Sequence, residues 1–141
     1  MVSLGDYLQR FHFKDLPVRG AFVSLSETLH HLSENKSYPD AIATLLAEML
    51  SANLLMSSTI SWHGQLIMQY QAQPGSAVEL LLAKSNDRHE VSALARWDES
   101  VNFPESVRLE QGRLVVSLLH EKQQSPSQSI IELTQEGVEA C

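Results

Sequence analysis

The sequence predicts an α+β domain in which mostly antiparallel sheets pack against one long helix, itself buried on more than one side. Three observations carry that reading. Across residues 38–60 (YPDAIATLLAEMLSANLLMSSTI) the apolar side chains, placed at 100° per residue, run almost all the way round. Ile42, Leu45, Leu46, Met49, Leu50, Leu54 and Met56 span most of the circumference, and Thr44, Glu48 and Ser51 share one narrow stripe, whereas a surface helix is apolar on one side only. After Ile60 the period changes from 3.6 to 2, and the alternating segments that follow are joined by short turns.

The elements are expected in this order. Residues 7–13, with Tyr7, Phe11 and Phe13, read as a short strand that Asp15-Leu16-Pro17 breaks, and residues 18–23 as a second strand. Ser24 followed by Glu27 has the spacing of a capping box. It precedes a short helix over 26–34 with Leu29 and Leu32 inward, ended by Asn35-Lys36-Ser37. The central helix occupies about 38–58. Ser37 is its expected cap, and Pro39 and Asp40 suit its first turn. A membrane span is the competing reading of so apolar a helix. Glu48, Ser51, Asn53, Ser57 and Ser58 interrupt it well short of ~18 clean apolar residues, so no membrane partner is expected.

His63-Gly64 reads as a turn between 60–62 and the next strand. In 65–72, Leu66, Met68, Tyr70 and Ala72 alternate with Gln65, Gln69 and Gln71, with Ile67 the exception, which marks a strand with one face buried. Gln73-Pro74-Gly75-Ser76 turns the chain into 77–84, a strand apolar on both faces at Leu80, Leu81 and Leu82. Ser85-Asn86-Asp87-Arg88 turns it again into 90–97, where Val91, Ala93, Ala95 and Trp97 alternate with Ser92, Leu94 and Arg96. Polar residues 98–111 loop over an edge. Residues 113–121, apolar on both faces from Val115 to Leu119, and 128–133 make a last hairpin, and 137–141 resemble the first turn of a helix, the mark of a fragment.

The 141 residues suit a single domain with a real core. A net charge of −7, with ten Lys and Arg scattered singly, argues against a nucleic-acid partner and offers no basic patch to anionic lipid. The N-terminus has neither the basic nor the apolar region of a signal peptide. Cys141 is the only cysteine, so no internal disulfide forms, which fits a cytoplasmic protein.

No catalytic constellation emerges from the residues. His30 and His31 are adjacent on a helix and point about 100° apart, and no HExxH or C-x-x-C occurs, so neither a metal nor another cofactor is expected. Residues 20–24 lack the GxSxG spacing of a nucleophile elbow. Asn53, among apolar neighbours, reads as a buried amide bonded to nearby backbone, with a ligand-orienting role as the alternative. Cys141 is either a reactive thiol or a small apolar helix residue.

Several stretches resemble the N-terminal domain of the 33-kDa heat-shock protein family, the redox-regulated bacterial chaperones. They are Arg10-Phe11, VRGAFVSLSETL (18–29), YPDAIATLLAEML (38–50), Gly64-Gln65-Leu66 with the strand after it, ALARW (93–97) and Gly137 to Cys141. The resemblance implies β/α/β layers around a buried helix. It further implies an ATP-independent holdase, a stress-response protein that binds unfolding clients and dimerises, and no enzyme. The family's redox switch is a zinc site of four cysteines beyond this stretch. None of the four is present, so zinc binding and redox sensing do not carry over, and Cys141 matches a family cysteine that is not a ligand. The expectation is therefore an incomplete substrate-binding domain over 1–141. Its partners are unfolded proteins and a second copy, through a plain or domain-swapped homodimer. No client-contact residue is assigned. A scaffold or dimerisation module without client binding is the alternative, and a small hydrolase, marked by a Ser, a His and a carboxylate converging in a pocket, is the third.

Overall fold

The computed structural model describes residues 5–34, 37–60, 63–104, 107–109 and 111–134. Strands β1 (Tyr7–His12) and β2 (Arg19–Ser24) pair antiparallel as a separate hairpin, followed by helices α1 (Glu27–Glu34) and α2 (Asp40–Ser57). Strands β3 (Gly64–Ala72), β4 (Val78–Asn86), β5 (Val91–Trp97), β6 (Gly112–His120) and β7 (Ser127–Leu133) form one antiparallel sheet in the order β5-β4-β3-β6-β7. The expected meander is thus present as β3-β4-β5. The connection after β5 then passes the ends of β4 and β3 and delivers β6 to the far side of β3, which is a Greek key. The α+β class stands.

Helix α2 lies mainly over β4 and also touches β3, β5 and β2. Its Ile42, Leu46 and Leu50 are buried with Met68 and Tyr70 of β3, Leu81 and Ala83 of β4, and Ala95 of β5. By length and composition α2 could cross a membrane, but this packing is that of a core helix. Thr44 and Glu48 of the polar stripe are exposed, as the pattern implied, and the helix is less enclosed than the sequence implied at Met56, which is 41% exposed. Its 18 residues span about 27 Å.

Two capping expectations are corrected. No side chain caps α2: Pro39 stands at the N-cap with φ −55° and ψ 147°, and Ser37 makes no cap bond. Proline has already fixed the extended backbone from which the helix starts. At α1, the Ser24–Glu27 capping box gives way to Asp6, a residue far upstream. Its carboxylate accepts the Ser26 N–H at 2.6 Å, the Glu27 N–H at 2.8 Å and the Thr28 N–H at 2.9 Å, and the Thr28 hydroxyl besides. Partial burial raises the Asp6 pKa, but these hydrogen bonds outweigh it and hold the carboxyl below the ordinary 3.8. One charged acceptor meets three of the four orphan donors of the helix, more than a serine hydroxyl can. Leu29 and Leu32 are half-buried.

Alternation along β3 buries Leu66, Met68 and Tyr70 on the α2 side. In β4 both Val78 and Leu81 are buried, three residues apart, because the pairing with β5 shifts register between Val78 and Leu80. Such an irregularity resets which residues face inward, and it leaves Leu80 and Leu82 on the opposite face. At Gly112 a Cβ would collide with the Gln71 carbonyl oxygen, so β6 approaches β3 there as closely as only glycine permits. Gly64 of the expected His63-Gly64 turn already opens β3, and Ser61 and Trp62 before it lie outside the described residues, as do Asn35, Lys36 and 137–141.

Candidate functional site

Strand pairing assembles the sheet face turned away from α2 row by row. Leu94, Leu82, Gln69, Val115 and Ile130 stand side by side across all five strands. The rows beside it read Ser92, Lys84, Ile67, Ser117, Gln128 and Arg96, Leu80, Gln71, Arg113, Glu132. Leu119 sits opposite Gln65 beyond them. None of these aliphatic side chains packs against the buried core, whereas Leu114, Val116 and Leu133 on the α2 side do. Ile67, Leu80, Leu82, Leu94, Val115 and Leu119 are half-buried, Ser117 among them is 7% exposed, and Ile130 is 59% exposed. A solvated sheet face is ordinarily polar. This one is an aliphatic platform with glutamines through it. Within the three rows its charges are Lys84, Arg96, Arg113 and Glu132, which pairs with Arg113 Nε at 3.0 Å, and Glu90 and Glu121 line the cavity at its Gln65–Leu119 end. The two segments flagged in the sequence as apolar on both faces, 80–82 and 115–119, are its centre.

A second apolar feature lies on the β1–β2 hairpin. Phe11 stacks on Phe22 at 5.2 Å between centroids and meets Phe13 edge-on at 6.1 Å, and Phe22 is 62% exposed.

Asn53 is fully buried and orients no ligand. Its Nδ2 donates to the Leu66 carbonyl at 3.2 Å and the Ala83 carbonyl at 3.1 Å, and its Oδ1 accepts the buried Ser85 hydroxyl. The amide ties α2 to β3 and β4 at once, as its apolar surroundings implied.

A cavity of about 580 Å³ at the C-terminal end of α2 does bring serines, histidines and a carboxylate together: Ser57, Ser58, His63, Asp87 and His89, with Arg10. His63 Nδ1 lies 2.8 Å from Asp87 Oδ2, and that bond, the largest influence, holds the Asp87 pKa down. The hydroxyls, however, are turned away from the imidazole. Ser57 donates to Leu54 and Ser58 to Leu55, each to a carbonyl of the last helical turn, and Arg10 reaches the Ser58 carbonyl at 3.4 Å. This is the satisfaction of a helix end, and no nucleophile is aimed at a base there.

The remaining candidates stay apart. His30 and His31 both contact Glu34, at 3.1 and 3.3 Å, on the exposed side of α1. Among the described residues no three His, Cys, Asp or Glu side chains gather as a metal would require. Gly20 and Ser24 sit at opposite ends of β2, and Cys141 lies outside the described residues.

Comparison with known proteins places this architecture. A family model described as Hsp33 protein matches residues 6–141. A 33 kDa chaperonin of Neisseria meningitidis is 33% identical over 141 residues, covering 97% of this chain and 46% of that protein. One of Proteus mirabilis is 30% identical over 142 residues, covering 99% and 47%. The chain spans about half the length of the curated relatives it matches. The crystal structure of a 33 kDa chaperonin from Thermotoga maritima superposes with a TM-score of 0.71 over 90% of this chain and 45% of that one, at 14% identity, which shows a common fold.

Proposed function

This chain belongs to the Hsp33 protein family, and on that premise we propose that it is a client-holding module of an ATP-independent chaperone, a cytoplasmic protein acting without covalent chemistry. The observation that carries the reading is the aliphatic platform of the five-stranded sheet. A contiguous apolar surface left to solvent marks an interaction site, and a flat, side-chain-diverse one suits clients that share no sequence. Glutamines within the platform can meet the backbone amides of a non-native chain. Lys84 and Arg96 can meet its carboxylates, while the acidic remainder of the molecule keeps the complex dispersed. Redox regulation, in this reading, belongs to the half of the longer relatives that this chain does not span. A homodimer, plain or strand-swapped, is the expected assembly.

The test is light scattering of a thermally aggregating client under reducing conditions, with wild-type chain and with Leu82→Lys and Leu94→Lys. Suppression near one-to-one, lost in both variants while their circular dichroism is unchanged, supports the platform. Equal suppression by the variants moves the client site elsewhere. A folded chain with no suppression at all sinks the holdase reading and leaves a scaffold module.

A further inference from the structure

The β1–β2 hairpin and the body of the molecule leave a cleft between them. One chamber is the polar cavity of about 580 Å³ at the end of α2. The other, of about 300 Å³, is walled by Leu8 and Val23 of the hairpin, Leu25 after it, Leu54 of α2 and Val91 of β5. Leu8 and His89 line both, so the two adjoin, one apolar and one polar. Ligand sites are built this way, with mostly apolar walls and a few converging polar groups.

In the polar chamber the acceptors are already engaged. The Leu54, Leu55, Met56 and Ser57 carbonyls take the Ser57, Ser58 and Thr59 hydroxyls and the N–H groups of Ser58, Thr59 and Ile60, which covers the negative pole of the helix. Asp87 is held by His63, and Asp6, in the apolar chamber, by the start of α1. The donors are another matter. Arg10 uses one N–H of its guanidinium fork on the Ser58 carbonyl, at 3.4 Å. Asn86 Oδ1 accepts the Arg88 and Glu90 N–H groups at 3.0 and 2.9 Å. The rest of the Arg10 fork, the Asn86 Nδ2 and the His89 ring have no partner among the described residues. His89 has φ 60°, a left-handed conformation that closes tight hairpin loops and that glycine adopts at lower cost. The turn has no need of an imidazole there; the position sets one between the two chambers.

We propose that this cleft binds a medium-chain aliphatic carboxylate, its tail among Leu8, Val23, Leu54 and Val91 and its head on Arg10, Asn86 and His89. Donors without acceptors call for an oxyanion, and the aliphatic walls beside them call for hydrocarbon. A free inorganic anion leaves the apolar chamber unfilled, and an uncharged hydrocarbon leaves the donors unmet. A peptide end suits the apolar chamber less well, because its backbone N–H and C=O groups would be buried among side chains that cannot bond them. The engaged carboxylate of Asp6 fixes the direction, with the head at the Arg10 end. The cleft lies on the α2 side of the sheet, away from the platform, and neither proposal depends on the other.

The probe is sodium octanoate, titrated into the methyl-labelled intact chain and followed by NMR. Saturable one-to-one binding is expected, with shifts at the Leu8, Val23, Leu54 and Val91 methyls and none at Leu82 or Val115 of the platform. Hexanoate, two methylenes shorter, binds about tenfold more weakly. So does 1-octanol, which keeps the tail and loses the charge. Arg10→Gln weakens octanoate about tenfold and leaves octanol unchanged, a difference that a merely structural role for Arg10 would not produce. Equal loss of both ligands therefore overturns the head contact. Acetate or inorganic phosphate binding as well as octanoate means an adventitious ion only, and platform methyls shifting at the same concentrations mean unspecific adsorption; either overturns the proposal. Tighter binding of an acetylated tri-leucine peptide with a free carboxylate hands the cleft to a chain end and overturns it too, as does absence of saturation. Each of these failures leaves the holdase reading standing.

Discussion

Replacing Asn53 by alanine tests whether one buried amide holds the helix to the sheet. The side chain is fully buried and makes three hydrogen bonds, to the Leu66 and Ala83 carbonyls and from the Ser85 hydroxyl. Its removal leaves the Ser85 hydroxyl, itself 1% exposed, without its acceptor. An unsatisfied buried polar group costs about 1–3 kcal/mol, and each lost hydrogen bond about 1. The small cavity left by the shorter side chain adds to that. Asn53→Ala is therefore expected to lose about 3–4 kcal/mol, and Ser85→Ala, which strands only Oδ1, about 1–2. In the double variant no stranded partner remains between these two positions, so its loss falls short of the sum by at least about 1 kcal/mol. Urea unfolding of the four proteins measures this, provided the m-values agree. Single losses below about 0.5 kcal/mol, or an additive double variant, would refute the account and make Asn53 a tolerated polar residue rather than a clamp.

Asp6→Ala releases three N–H groups of α1 and costs about 0.5–1 kcal/mol, the low side of a capping loss because the site is exposed. The folded-state pKa of Asp6 is lowered, so its contribution is complete at neutral pH, above the unfolded value, and disappears as pH falls from about 4 through the folded value. Wild type and variant should therefore draw together in stability as the pH falls below about 4 and through the folded value; a gap that does not shrink on acidification would exclude the ionised carboxylate as its source. Gly112→Ala drives a Cβ into the Gln71 carbonyl and toward the Tyr70 ring, with an expected loss of about 3 kcal/mol by the same unfolding measurement. Gly20→Ala overlaps the Phe11 ring, which is near the surface and can swing aside. The loss should stay below about 1 kcal/mol, while the Phe11–Phe22 contacts disappear from the NOE spectrum.

Much of this was legible in the sequence, because periodicity reports which side chains are buried. The apolar circumference of residues 38–60 announced α2, and the alternation in 65–72 and 90–97 announced β3 and β5 to within a residue or two. Periodicity carries no information about which edge of a growing sheet a later strand joins. The placement of β6 beside β3, and with it the platform, came only from the pairing of Gln69 with Val115. The platform left a signal nonetheless, in strands such as 80–82 and 115–119 that were apolar on both sides. The Asp6 cap was invisible for another reason: local rules match a helix start to its own flanking residues, and here the acceptor comes from before β1. Ser37 failed as a cap because Pro39 set the backbone first.

The Greek-key return has a consequence in time. β3 pairs with β4 across a short turn, but its other edge waits for β6, with Ala72 meeting Gly112 and Gly64 meeting His120. Contacts so distant in sequence close slowly. On a ribosome adding roughly 5–20 residues per second, α2 and the β3-β4-β5 meander can assemble while the central strand is still open on one side for seconds. A nascent chain that folds in this order exposes an unpaired apolar strand, the same hazard that the mature form is proposed to relieve in others. Crowded synthesis is where its own yield should be most sensitive to strand-edge substitutions in β3.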